Sequence, residues 1–237
     1  MRSRSLGARP STPAGFVRPG LVVLFAMFAL WSPAGAAGQK GEVGLGVHLG
    51  GGSYDNDQFN DDLERIGWDR IESGVEYGVS VDYRVSRWFS VGISATRIGG
   101  TSSPPPGVAD PANAPTYDLH ASPLAFGLIV HPLGAKHANL DLFGGVGPLL
   151  NATVAQSSNA FEFEARKTGP YWHGGVTAEY RFSPMVGVNL SGLARHATAK
   201  NVDLRGITGD PEARWDLAFN GFAVWFGPRL YFGNTED

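Results

Sequence analysis

The sequence predicts an all-β fold: an eight-stranded antiparallel up-and-down transmembrane β-barrel, preceded by a signal peptide. Three observations lead to this prediction. An apolar stretch follows several arginines near the N-terminus, eight later segments alternate apolar with small or polar residues, and their connections alternate between short and long. A sheet in hydrocarbon must pair all its backbone groups, so it has to close on itself. The chain has no cysteine, which excludes a disulfide framework and a cysteine metal site.

Residues 1–36 have the features of a secretory signal peptide. Four arginines precede an apolar run at residues 21–31, which is too short to span a hydrocarbon core of about 30 Å. The small residues Ala34 and Ala36 predict cleavage near Ala36. We therefore expect a signal peptide at 1–36, a barrel at 37–232 and a short tail at 233–237. Cleavage leaves 15 basic and 22 acidic residues, and this acidic balance argues against nucleic-acid binding.

The last segment, residues 217–232, shows the alternation most clearly. From Phe222 onwards, large apolar residues occupy one face, and mostly small or charged residues occupy the other. Apolar groups towards lipid and small or charged groups towards the interior are typical of a membrane-spanning strand. The end of the segment, Trp225-x-Gly227-x-x-Leu230-x-Phe232, resembles the C-terminal signal by which bacterial outer-membrane barrels are recognised for insertion.

Seven earlier segments follow the same pattern, at residues 42–50, 74–85, 88–97, 117–131, 138–149, 167–182 and from 185 onwards. Short turns follow the second, fourth and sixth segments. Long polar connections follow the first, third, fifth and seventh, at about 51–73, 98–116, 150–166 and 198–216. Short turns at one end and long loops at the other are typical of outer-membrane barrels. Pro123 lies at an apparent change of phase and predicts a bulge in the fourth segment.

Charged residues share the predicted inward face with glycine. Side chains fill the interior of an eight-stranded barrel, and buried charges must pair, so we expect ion pairs that plug the lumen. A gated polar path is the alternative. A soluble lipocalin-like barrel would instead place its apolar residues inside. The predicted lumenal charge network consists of Glu76, Asp82, Arg84, Asp141, Glu179, Arg181 and Arg229, with Glu42 also facing inward.

Several motifs resemble the small eight-stranded outer-membrane barrels of the OmpA-transmembrane, OmpX and OmpW-like group. They are the signal peptide, the tyrosine-containing hairpins at 78–86 and 175–183, the glycine-rich stretch 144–148 and the closing residues 227–232. The resemblance covers about residues 42–232. It implies a Gram-negative outer-membrane location, contact with membrane lipid and lipopolysaccharide, and insertion by the barrel-assembly machinery. We expect a structural or surface-interaction role in the cell envelope. The alternative is an OmpW-like conduit for small hydrophobic molecules.

A second alternative is an esterase. The segment Arg195-His196-Ala197-Thr198 is similar to the His-x-Ser segment of the lipid A 3-O-deacylases, which are also eight-stranded barrels. The resemblance implies His196 as base, Thr198 in place of the serine nucleophile and Glu212 as the nearest later carboxylate. Residues two apart on a strand share a face, so His196 could reach Thr198. We otherwise expect no catalytic residue, no cofactor and no metal site, and the sequence names no ligand.

The first long connection is strongly acidic. It lacks the glycine and the terminal glutamate spacing of a calcium-binding loop. We expect a solvated loop with a short helix near Asn60–Ile66. Its aromatic residues, Phe59 and Trp68, could contact lipopolysaccharide or a ligand.

Overall fold

The structure, a computed structural model, describes residues 40–65, 67–102, 104, 114–134, 137–158, 162–203 and 214–233. The predicted signal peptide, Glu212 and the chain after residue 233 lie outside this range. The elements in order are β1 Val43–Ser53, α1 Asp57–Arg65, β2 Ser73–Arg84, β3 Phe89–Ser102, β4 Thr116–Gly134, β5 Ala138–Ser157, β6 Glu162–Arg181, β7 Val186–Asp203, β8 Arg214–Ala218 and β9 Gly221–Phe232. Within the described residues, no helix is long and apolar enough to cross a membrane.

The strands form a closed antiparallel ring. Strands β1 to β7 pair with their sequence neighbours, and β9 closes the ring by pairing with both β7 and β1. Residues 219 and 220 are not in a strand, so they separate the short strand β8 from β9. Within the described residues β8 pairs with β7 alone, beyond the part of β7 that pairs with β9. Gly221 adopts a φ of 141°, and a Cβ there would collide with the Ser53 carbonyl oxygen. The ring itself contains eight strands, so the predicted fold class is confirmed.

The outward face of the ring is an apolar band. The side chains of Val79, Phe126 and Trp172 are 49%, 56% and 52% exposed, and the outward positions of every ring strand carry similar residues. A contiguous apolar surface of this size is unfavourable in water and suited to hydrocarbon. The inward positions hold the buried charged and polar residues. The inside-out arrangement predicted by the alternation is therefore the observed one.

Several strands extend well beyond the predicted segments at the end of the ring that carries the long connections. The expected loop at 150–166 is mostly strand, because β5 continues to Ser157 and β6 begins at Glu162. The predicted bulge at Pro123 is wrong. The register shift beside Ser122 comes from an extra residue in β5 next to Asn151, whose φ is 48°, and β4 has its own extra residue between Val130 and Leu133. Strand β7 has a similar irregularity at Asn201, with a φ of 55°. Asparagine tolerates this left-handed conformation better than other residues with side chains.

Helix α1 covers an apolar core at this long-loop end. The side chains of Phe59 and Leu63 are 0% and 2% exposed, and Phe59 packs edge-on against Trp215 with ring centroids 5.3 Å apart. Phe59 and Leu63 pack with buried residues from the long-loop ends of the strands, including Leu119 of β4 and Leu217 of β8. We call this cluster the mouth core. The predicted helix is present, but the expectation of a solvated loop is wrong on its inner side.

Burial of apolar side chains contributes more to holding α1 in place than the exposed ion pairs of Arg70 do. Arg70 contacts Asp57, Asp61, Glu64 and Glu72 at 2.8–3.4 Å, but these carboxylates are exposed. Exposed ion pairs contribute about 0–1 kcal/mol each. Burying an aromatic or aliphatic side chain contributes about 1.5–3 kcal/mol, so the two buried residues of α1 contribute more.

Hydrogen bonds fix the residues flanking α1 to both sides of the mouth. The Ala218 amide donates to Asn56 Oδ1 at 2.7 Å, and Trp68 Nε1 donates to the Pro115 carbonyl at 3.0 Å. Tyr54 donates its hydroxyl to a β3 carbonyl at 3.2 Å. Burial, and next the Glu76 carboxylate, raise the pKa of the Tyr54 hydroxyl, so it stays protonated above the pH at which an exposed tyrosine ionises. We call residues 54–72 the cap.

Candidate functional site

An ion-pair layer crosses the barrel interior near its short-turn end. Arg229 contacts Asp82, and its Nη1 lies 3.5 Å from Glu179 Oε2. Arg181 donates from Nε to Glu179 Oε1 at 2.8 Å and from both Nη atoms to the Glu42 carboxylate, each at 2.8 Å. Two arginines and three carboxylates, from β2, β6, β9 and the residue before β1, therefore form one network, which we call the lower ion layer.

Neighbouring groups complete this layer. Arg181 Cζ lies 3.6 Å from the ring centroid of Tyr231, and Asn139 Nδ2 donates to Glu179 at 3.2 Å. Arg84 is buried and donates from Nη2 to the carbonyl of Arg87 in the adjacent turn at 3.1 Å. Low local polarity strengthens each hydrogen bond in such a network and makes each unpaired group costly.

A second inward chain of hydrogen bonds joins three strands. Ser90 Oγ lies 2.7 Å from His131 Nε2, and His131 Nδ1 lies 2.8 Å from Asp141 Oδ1. Serine hydrolases use the same order of groups. Here, however, the three residues are 1%, 8% and 2% exposed, so a substrate carbonyl has no approach to the serine. These two hydrogen bonds therefore connect the side chains of β3, β4 and β5 inside the barrel.

A further buried ion pair lies beneath the mouth core. Arg195 Nη1 donates to Glu76 Oε1 at 2.5 Å, and Trp225 Nε1 donates to Glu76 Oε2 at 2.7 Å. Both charged residues are at least nine-tenths buried. The predicted lumenal charge network omits Arg195, which lies nine residues after the outward-facing Val186 on β7. Continuing the period of two of this strand would have placed Arg195 inside.

A cavity of about 100 Å³ lies between these two charged regions. Its lining includes His48, His173, Asn189 and Ser191, with Trp225 on one side. The rings of His48 and Trp225 are stacked with centroids 4.3 Å apart. Among the described residues, no group of three or more histidine, aspartate or glutamate side chains could hold a metal ion.

The esterase candidates do not form a triad in the described residues. His196 faces outward, and its ring stacks on Trp172 with centroids 5.6 Å apart. Thr198 is buried, and its hydroxyl donates to Asn220 Oδ1 at 3.3 Å rather than to a histidine. Glu212 lies outside the described residues.

The residues of the predicted insertion signal divide between the two faces of β9. Trp225 points inward, and a Cβ at Gly227 would collide with the Val47 carbonyl oxygen, which explains the glycine there. Leu230 and Phe232 point outward and are 41% and 48% exposed. The motif therefore places two apolar side chains at the short-turn end of the lipid-facing band.

Comparison with known proteins agrees with this geometry. Residues 21–209 match the family described as outer membrane protein beta-barrel domain. The chain belongs to this family. This outer-membrane barrel therefore resides in the bacterial outer membrane. No curated protein sequence matches the chain.

Solved structures of similar fold are also outer-membrane proteins. One is Ail, the attachment invasion locus protein of Yersinia pestis, solved in complex with the heparin analogue sucrose octasulfate. It is 11% identical, with a TM-score of 0.50, over 82% of this chain and 100% of Ail. Another is OprG from Pseudomonas aeruginosa, 12% identical with a TM-score of 0.51, over 84% of this chain and 100% of OprG. At these identities the likeness concerns the fold alone.

Proposed function

We propose that this outer-membrane barrel has a plugged lumen and serves a structural or surface-interaction role in the cell envelope. The observation that carries this proposal is the stack of filled layers along the barrel axis. The mouth core under α1 lies at the outer end, and the lower ion layer lies near the periplasmic end. A solute would have to displace both layers, each of which is buried.

The same layers argue against a conduit for hydrophobic molecules. Such a conduit needs a continuous apolar path, whereas Arg195 with Glu76 and Arg229 with Asp82 interrupt the interior. An apolar molecule would have to pass buried charges, which interact more favourably with each other than with an apolar solute. The mouth core is apolar, but side chains of helix α1 already fill it. It therefore favours a closed mouth over an entrance for a hydrophobic solute.

Contacts with the membrane and with its assembly factors extend this proposal. The outward apolar band would contact the acyl chains of outer-membrane lipids and of lipopolysaccharide. The barrel-assembly machinery would recognise the outward Leu230 and Phe232. Signal peptidase would remove the signal peptide near Ala36.

Solute flux through the purified protein tests the plugged lumen. Liposomes that contain the folded barrel should swell in a small sugar no faster than protein-free liposomes. A large porin, reconstituted at the same protein-to-lipid ratio, provides the positive control. Swelling at a rate well above the protein-free rate would contradict the proposal.

A further inference from the structure

Arg195 connects the barrel to the cap through three different elements. Besides Glu76, its guanidinium donates from Nε to the Phe219 carbonyl at 2.7 Å and from Nη2 to the Ser53 carbonyl at 3.3 Å. Its Cζ also lies 5.3 Å from the ring centroid of Tyr54. All three guanidinium nitrogens are therefore engaged inside the protein.

The two carbonyls occupy special places in the chain. Ser53 is the last residue of β1, and the chain enters the cap directly after it. Phe219 lies in the break between β8 and β9, and its own side chain is fully buried in the mouth core. The guanidinium therefore joins the start of the cap to the residues between β8 and β9, directly before the strand that pairs with β1.

The space around the ion pair is fitted to it. A Cβ at Gly52 would collide with Glu76 Oε1 and would lie 2.8 Å from Arg195 Nη2. Trp225 donates a hydrogen bond from Nε1 to the other carboxylate oxygen of Glu76. Glu76 is 0% exposed, so without the guanidinium its charge would lose its ionic partner in a region with little water.

We propose that Arg195 and Glu76 form a latch that keeps the cap seated in the mouth, and that loss of Arg195 opens the outer mouth while the barrel wall stays closed. The wall does not depend on the latch, because β7 pairs with β6 and β9 through backbone hydrogen bonds. The cap does depend on it, because the unpaired Glu76 carboxylate would draw water into the mouth core. This inference rests on the plugged lumen, since a mouth that is already open needs no latch.

Cysteine labelling tests the latch, since the natural chain has no cysteine. The probe is Ala121→Cys, at a fully buried position of the mouth core, and Thr101→Cys at an exposed position serves as the accessible reference. A membrane-impermeant maleimide is added outside liposomes or cells that contain the folded protein. With Arg195 present, we expect the probe to react far more slowly than the reference. Adding Arg195→Met should raise its labelling rate by at least about tenfold, which corresponds to about 1.4 kcal/mol.

Arg229→Met is the matched control. It removes a buried arginine from the lower ion layer, far from the cap. Although it lowers the stability of the whole barrel, it should leave labelling of Ala121→Cys unchanged in the folded, heat-modifiable fraction. Arg195→Lys is a gentler variant, because lysine keeps the charge but cannot bond Glu76 and both carbonyls together. It should increase labelling by less than Arg195→Met.

The outcomes separate the latch from the proposed function. If Ala121→Cys reacts as fast as Thr101→Cys with Arg195 present, the mouth is open and the plugged lumen is wrong. If the probe stays protected in folded Arg195→Met and Arg195→Lys barrels, the mouth is closed without the latch, and the latch is wrong. If Arg229→Met exposes the probe as strongly as Arg195→Met does, the effect is general loosening, and the latch is likewise wrong.

Discussion

Arg229 and Asp82 contact each other across strand β1, directly over Gly44. The two side chains come from β9 and β2, the strands on either side of β1. A Cβ at Gly44 would lie 2.7 Å from Asp82 Oδ1 and 2.9 Å from Arg229 Nε. The absence of a side chain on β1 thus lets residues from its two neighbours meet, and the contact supports closure of the ring between its first and last strands.

Removing Arg229 should therefore destabilise the barrel strongly. Arg229→Met leaves the buried carboxylate of Asp82 without its partner and takes one cation from Glu179. Loss of one partner of a buried pair costs about 3–5 kcal/mol. The midpoint of urea unfolding, followed by the difference in gel mobility between folded and unfolded barrel, measures the effect. The double variant Arg229→Met with Asp82→Asn should regain part of the loss. Equal midpoints for the natural protein and Arg229→Met would contradict this account.

The lipid-facing band predicts a large cost for an outward charge. Val79 lies in the middle of β2, is 49% exposed and faces outward. Val79→Arg should destabilise the folded barrel in lipid by about 2–4 kcal/mol, because arginine has no hydration near the centre of hydrocarbon. Val79→Leu, which keeps the position apolar, should stay near the stability of the natural protein. A similar stability for the arginine and leucine variants in lipid would show that this face does not contact hydrocarbon.

The C-terminal motif predicts an effect on assembly. Phe222 and Phe232 both face outward on β9 and are 72% and 48% exposed, but only Phe232 belongs to the predicted insertion signal. Phe232→Ala should lower the amount of folded, heat-modifiable protein in the outer membrane severalfold. Phe222→Ala should not. Equal accumulation of the two variants would remove the evidence that Phe232 acts as a signal.

Signal-peptide cleavage can be checked on the exported protein. The intact mass should correspond to a chain that begins directly after Ala36 or the following alanine. Ala36→Leu should block cleavage at this site, because signal peptidase requires a small residue before the cleaved bond. When cleavage follows Ala36, Gly35→Leu changes only the position between the two small residues and should be processed normally. Normal processing of Ala36→Leu would place the cleavage site elsewhere.

Lipid A should keep its acyl chains when the barrel is produced. His196 stacks on Trp172, and Thr198 donates to Asn220, so within the described part of the chain His196 does not activate the Thr198 hydroxyl. Mass spectra of lipid A from cells producing the natural protein and from cells producing His196→Ala should therefore be identical. An acyl chain lost only with the natural protein would establish the esterase alternative.

Much of the interior could be predicted from strand alternation alone. Asp82, Glu179 and Arg229 lie inside as their positions in the alternation require. The partner of each arginine could not be assigned from the pattern. Glu76, for example, lies 119 residues from Arg195 in the chain, and they meet only because β1, β2, β7 and β9 converge at the mouth.

The cap shows the limit of reasoning from local sequence. Seven acidic residues between positions 54 and 73 predict a solvated loop, yet Phe59 and Leu63 are buried. The polar residues face outward, and the two apolar residues are one helical turn apart and face the mouth core. Whether that side of the helix finds an apolar surface depends on strands far away in the sequence.

The sequence by itself determined the membrane strands, their facing and the closed ring, because hydrocarbon selects an apolar outer face on each strand and permits no unpaired backbone. Only the tertiary structure decided which charges pair, where the β5 bulge lies and what fills the mouth. Those features depend on strand register and on the elongation of β4 to β7 above the membrane. Contacts between residues far apart in the chain set both, and alternation along a single strand carries no information about them.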